Sequence, residues 1–154
     1  TFINEIYLKI MKIIKLLTLL LLSNSLISQN WETNFTKAKE IASNDNKSIV
    51  LVFQGSDWCA PCIKLDREIW STSKFKELSK NHFVMISADF PRKKINALSK
   101  EKQEANKNLA EKYNSYGYFP YVVVLNPKGE VLGEHGYEKT SPELYFKKLK
   151  NYEK

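Results

Sequence analysis

Between residues 48 and 62 the chain reads "SIVLVFQ" and then "GSDWCAPC", and this succession leaves few folds open to it. A continuous apolar, β-branched run of strand length is what a strand buried on both faces of a sheet requires. Two cysteines follow at once, at positions 59 and 62, and they are the only cysteines in the chain. Behind them "IKLDREIW" has helical spacing at Ile63, Asp66, Arg67 and Trp70. The thiols are therefore expected at the entrance to a helix, where a buried strand has just ended.

The remaining segments alternate in period. "WETNFTKAKEIAS" is predicted as a helix with Trp31, Phe35, Ala38, Ile41 and Ala42 on one side. "STSKFKELSKN" is a second helical piece behind the cysteines, and "HFVMISADF" is another strand. "LSKEKQEANKNLAEKYN" is a polar helix ending near Tyr113, offering Leu98, Ala105, Leu109 and Ala110 to a core. "YVVVL", the turn "NPKG" and "EVLGEHG" form a hairpin whose Gly129 supplies the turn conformation. In "TSPEL", Thr140 and Glu143 have capping-box spacing with Pro142 in the first turn of a last helix. The order α-β-α-α-β-α-β-β-α implies parallel pairing by crossover, with the closing hairpin adding an antiparallel edge. The fold class is α/β: a central mixed sheet flanked by helices, closed by a β-hairpin and a C-terminal helix.

Not all of the 154 residues belong to that domain. From Met11, "MKIIKLLTLLLLSNSLISQN" has a basic start, a short apolar run and then small polar residues, the layout of a secretory signal peptide. The run is short of the roughly 20 apolar residues that span a bilayer. Residues 1–28 are read as the signal region, with residues 1–10 upstream of the true start at Met11, and 29–154 as the domain. The protein is expected to be exported, periplasmic or secreted, with anchoring through an uncleaved signal as the alternative. Without residues 1–28 the net charge falls from +7 to +5, because three lysines and one glutamate leave. The lysines are spread over every helix rather than gathered with aromatics on one face, which argues against a nucleic-acid partner. The dense run "PRKKINALSKEKQEANK" includes Glu101 and Glu104 and reads as a solvated connection and helix face.

Paired thiols at a helix entrance have a specific chemistry. Cys59 is expected to be exposed, where unpaired backbone N–H groups and the helix dipole favour a thiolate. In such motifs a cysteine pKa falls from about 8.5 into the range of about 3.5 to 7.5. Cys62, shielded and one turn below, attacks the mixed disulfide and releases the client. Pro61 rigidifies the first turn, and Trp58 shields the thiol while offering a flat apolar surface. A structural zinc site needs four ligands, and beyond the pair only His82 and His135 exist, without finger spacing. A purely structural disulfide across two residues constrains almost no chain entropy. Neither a metal nor another cofactor is called for.

"LVFQGSDWCAPCIKLDREIW" together with "YGYFPYVVVLNPKGEVLG" resembles the thioredoxin family, in particular exported thioredoxin-like proteins with a W-C-x-x-C-x-x-[LM]-[DE] motif. The likeness runs from about Trp31 to Leu149. It implies that Cys59 is the attacking and Cys62 the resolving cysteine, and that Pro120 is a cis-proline facing them. It also implies a client groove lined by Trp58, Phe119, Pro120 and Gly136. The chain departs from the family where a buried aspartate often lies six residues before the first cysteine, a position held here by Phe53. Asp66, one turn beyond Cys62, matches an acidic position of the exported relatives and is a candidate proton acceptor. Phe119 stands where the family often has threonine or valine. The implied activity is a monomeric thiol–disulfide oxidoreductase that reduces disulfides of protein clients and is itself served by a redox partner, a membrane electron donor among the candidates. A binding or chaperone-like module with incidental cysteines is the alternative.

Overall fold

The structure, a computed structural model, describes residues 31–153 together with residues 6, 7 and 11. The signal region lies, apart from those three positions, outside the described residues. Among the described residues no helix is long and apolar enough to cross a membrane.

The elements are α1 (Phe35–Asp45), β1 (Ser48–Gln54), α2 (Ala60–Leu65) running into a π-helical turn (Asp66–Trp70), α3 (Ser73–Ser79) and β2 (Phe83–Asp89). A 3-10 turn (Lys94–Asn96), α4 (Lys100–Tyr113), β3 (Tyr121–Leu125), β4 (Val131–His135) and α5 (Pro142–Asn151) complete the domain. The sheet order is β2-β1-β3-β4. β1 runs parallel to β2 and antiparallel to β3, which pairs antiparallel with β4. The sheet is mixed, as expected, but only the β1/β2 pair is parallel. The α4 crossover delivers β3 to the far side of β1 in the reversed direction, so β3 is antiparallel to β1 as well as to its hairpin partner.

β1 lies in the middle of the sheet, and its residues Ile49 to Phe53 are fully buried. Alternation divides them between two cores. Val50 and Val52 pack with Leu65, Ile69, Trp70, Phe75, Tyr145 and Leu149 beneath α2, α3 and α5. Ile49, Leu51 and Phe53 pack with Ala38, Ala42 and Tyr113 beneath α1 and α4. Neither face of the strand meets water, which is why it carries no polar alternation.

Four local expectations are corrected. Trp31 is not on the first helix: Asn34 caps α1 by accepting from the Lys37 N–H, so the helix starts after it. The preceding residues run extended along the free edge of β2, where the Glu32 N–H donates to the Met85 carbonyl at 2.8 Å, and Trp31 meets Trp70 edge-on at 6.0 Å. Ile63 is 44% exposed: on α2 it is Cys62 and Leu65 that turn inward, and the π turn, closed by the Ser71 N–H on the Asp66 carbonyl, follows with Ile69 and Trp70 buried. In the middle of α4 Asn106 rather than Ala105 is buried, its amide donating to the Asp89 carbonyl at 2.8 Å. The cap of α5 is Ser141, not Thr140. Proline at 142 disfavours a helical conformation at the residue before it, which leaves Ser141 extended and able to accept from the Leu144 N–H.

Gly133 in β4 marks a close approach. A side chain there would land on the ring of Tyr152, whose hydroxyl donates to the Glu134 carbonyl. Gly133→Ala is expected to cost about 1–3 kcal/mol by overpacking, read as a lower denaturant midpoint at unchanged m-value.

Candidate active site

The end of β1 and the start of α2 carry the cysteines. Cys59 is the N-cap of α2 with extended backbone, and Pro61 occupies its first turn. The Cys59 Sγ accepts from the Cys62 N–H at 3.3 Å. The two sulfurs are joined, with an S–S distance of 2.00 Å and Cα atoms 5.2 Å apart. With the disulfide closed, Cys59 is only 5% exposed and Cys62 2%. The expectation of an exposed Cys59 is therefore corrected for this oxidised state: the bond holds its sulfur against the first turn of the helix.

The turn before the cysteines is tied down by residues distant in sequence. The Cys59 and Trp58 N–H groups both donate to the Gly55 carbonyl, at 2.9 and 3.2 Å. A side chain at Gly55 would collide with the indole of Trp58, so glycine is what lets that ring lie over the turn. Ser56 donates its N–H and its hydroxyl to the two Asp89 carboxylate oxygens at 2.8 and 2.6 Å. Asp57 accepts from the N–H groups of Arg92 and Lys93 and from the Asn96 amide, each at 2.9 Å. The hydrogen bond from Arg92 is the main cause that holds the Asp57 carboxyl below the usual carboxylate range.

Trp58 donates through Nε1 to the Phe90 carbonyl at 2.7 Å. Its ring meets Phe119 edge-on at 5.6 Å, and Phe119 meets Phe90 at 5.5 Å. The Arg92 guanidinium lies 3.6 Å from the centre of the indole. The Phe119–Pro120 peptide is cis, as the resemblance implied. Register explains its position: Tyr121 of β3 pairs with Phe53 of β1, so the residues just before β3 meet the turn just after β1. Gly136 follows His135, the partner of Val122, and a Cβ on it would stand 3.6 Å from the Pro120 carbonyl oxygen.

The structure thus brings Trp58 with Phe119, Cys59 with Cys62, and Pro120 with Gly136 at one end of the sheet. Asp66 lies one helical turn on, its N–H donating to the Cys62 carbonyl. Its carboxylate is exposed and accepts from the Ser71 hydroxyl at 3.1 Å on both oxygens. Phe53 is fully buried and packs beside Tyr121 at 6.4 Å. His135 sits beside Tyr145 at 5.1 Å, with its Nε2 3.2 Å from a Glu138 carboxylate that also binds Lys148. Burial first, and then the Lys148 ammonium, push its pKa below the ordinary imidazole value. Sequence reasoning missed Gly55, Ser56, Asp89, Phe90 and Arg92. The partners of Asp57 are 35 to 39 residues away and left no local trace.

A disulfide at a helix entrance, at the carboxyl end of a buried central strand and beside a cis-proline loop, defines a thiol–disulfide oxidoreductase of thioredoxin-like fold. The chain belongs to the thioredoxin-like domain family, whose model matches residues 35–153. It is 36% identical over 121 residues to the disulfide bond reductase DsbH of Chlamydia pneumoniae, a match covering 79% of this chain and 70% of that protein. It is 26% identical over 91 residues to the thioredoxin-related protein DsbJ of Chlamydia pneumoniae, covering 52% of this chain and only 26% of that one. A solved DsbH oxidoreductase structure superposes with a TM-score of 0.74 at 34% identity, covering 81% of this chain and 84% of that one.

Proposed function

We propose that this protein is an exported reductase of disulfides in client proteins, with Cys59 as attacking and Cys62 as resolving thiol. The observation that carries this reading is the placement of the Cys59 sulfur at the N-cap of α2, on the Cys62 N–H. A thiolate formed there is stabilised by that donor and by the helix end. It attacks a client disulfide, forming a Cys59–client bond and releasing one client thiolate. The Cys62 thiolate then attacks the Cys59 sulfur, forming the intramolecular disulfide and releasing the second client thiolate. Two electrons pass to the client, and a dithiol donor must return them. A membrane-borne donor suits a protein whose residues 11–28 have the layout of an export signal. The similarity to a relative named as a disulfide bond reductase supports the reducing direction.

In this reading Trp58, Phe119, Pro120 and Gly136 form the surface on which an extended client lies, and the protein works as a monomer. Asp66 serves only indirectly: with its carboxylate on Ser71 and open to solvent, a proton leaving Cys62 reaches it through water.

Insulin reduction by wild type and a Cys59→Ser variant tests the proposal. Loss of the first nucleophile is expected to bring catalysed reduction down to the background set by dithiothreitol alone. Equal activity of the two proteins would leave a client-binding module with incidental cysteines.

A further inference from the structure

We propose that residues Phe90–Leu98 form a client-selecting element, in which Arg92, Lys93 and Lys94 favour disulfides flanked by acidic residues. The inference rests on the reductase reading of the cysteine pair and concerns which clients that pair meets.

Three observations converge on this loop. It is fastened to the active-site turn: Asp57, two residues before Cys59, holds it by three hydrogen bonds, and Trp58 holds it through the Phe90 carbonyl. Arg92 covers the Trp58 indole, so its charge stands beside the ring that adjoins the nucleophile. The loop also walls a cavity of about 480 Å³, lined by Phe90 and Arg92 and extending to Leu98 and Lys107.

Residues 90–98 themselves carry three cations and no acidic side chain. Arg92, Lys93 and Lys94 are exposed, and none forms an ion pair with a described carboxylate. The half-buried carboxylates of Asp57 and Asp89 adjoin the loop, one bound to its backbone N–H groups and the other to Ser56, and Glu104 is the exposed carboxylate that lines the cavity. Lys107 is already 3.8 Å from Glu111. Ile95, 91% exposed at the crest of the 3-10 turn, adds an apolar contact of the kind a polypeptide uses and a small anion does not. Because the loop is anchored by side chains of the active-site turn, its charges are positioned before a client arrives, and little ordering cost offsets their attraction. An acidic segment next to the client's cysteine, approaching Cys59, meets these charges first.

The test uses the reduced full-length protein and three synthetic disulfide-linked peptides, identical except that Glu, Gln or Lys flanks the cysteine. At low salt the Glu peptide is expected to be reduced about tenfold faster than the Lys peptide, the lower end of electrostatic steering. The preference should fade towards 1 M salt, where screening acts within about 3 Å. Lys93→Glu with Lys94→Glu should invert the order while the Gln peptide keeps its wild-type rate within about twofold, which also shows that the fold is intact. The neutral Lys93→Gln, Lys94→Gln pair should diminish the preference without inverting it. A distant reversal on the opposite face, Lys147→Glu with Lys150→Glu, should leave the preference in place. Equal rates on all three peptides, a preference that survives the loop reversal, or the same inversion from the distant pair would overturn the proposal and leave the reductase reading standing. Reduction of none of the peptides would sink both.

Discussion

A Cys62→Ser variant, reduced and mixed with a disulfide-bearing client, is expected to accumulate a covalent complex through Cys59 that the wild type does not build up. The two steps use different thiols, and only the second needs Cys62. In the native chain its sulfur is close enough to Cys59 to close a bond, with Cα atoms 5.2 Å apart. Such intramolecular attack benefits from an effective molarity of roughly 10⁵ M or more when well aligned, far above any external thiol. Its removal should therefore lengthen the life of the mixed disulfide by orders of magnitude. Non-reducing electrophoresis and intact mass spectrometry check this. Capture through Cys62 in a Cys59→Ser variant, at equal yield, would reverse the two roles. The trapped proteins would also identify the clients, and their sequences around the captured cysteine offer a second view of the acidic preference.

The largest loss of stability is expected from Trp70→Ala. Trp70 is 1% exposed and joins three aromatic neighbours: Phe75 at 4.8 Å, Tyr145 at 5.1 Å and Trp31 at 6.0 Å, all edge-on. It links the π turn behind the cysteines to α3, α5 and the segment that covers the edge of β2. Removing such a side chain costs about 3–5 kcal/mol, a large share of the roughly 5–15 kcal/mol that holds a domain together. Trp70→Phe should cost distinctly less. It keeps an aromatic ring in the cavity and removes the indole N–H, which is buried with no hydrogen-bond partner among the described residues. Urea unfolding of both variants measures the difference, and an Ala variant within about 1 kcal/mol of wild type would contradict the packing role assigned from large-to-small substitutions.

The order of elements was legible because each is announced locally. The unbroken apolar run of β1 reports burial on both faces, and the 3.6-residue spacing of α1 and α4 reports a helix with one covered side. The cysteine pair was equally legible, since two thiols three positions apart at a strand end have few uses. Pro120 and Gly136 came from the resemblance to a family, and the structure places them against each other. Arg92 could not be found this way. Within "PRKKINALSKEKQEANK" it looks like any surface cation, and it gains a role only when Asp57 and Trp58, more than thirty residues earlier, take hold of its loop.

What the sequence determined by itself, then, is the set of strands and helices, the thiol pair and its helix entrance, because these follow from backbone periodicity and from chemistry between residues a few positions apart. Only the tertiary structure decided that β3 runs against β1, that Trp31 leaves the first helix for the sheet edge, that Ile63 faces water while Leu65 and Ile69 face the core, and that the Asp66 carboxylate turns to Ser71. Each of these depends on which surface an element is packed against. The contacts that settle it join residues far apart along the chain, and such contacts leave no mark in local spacing.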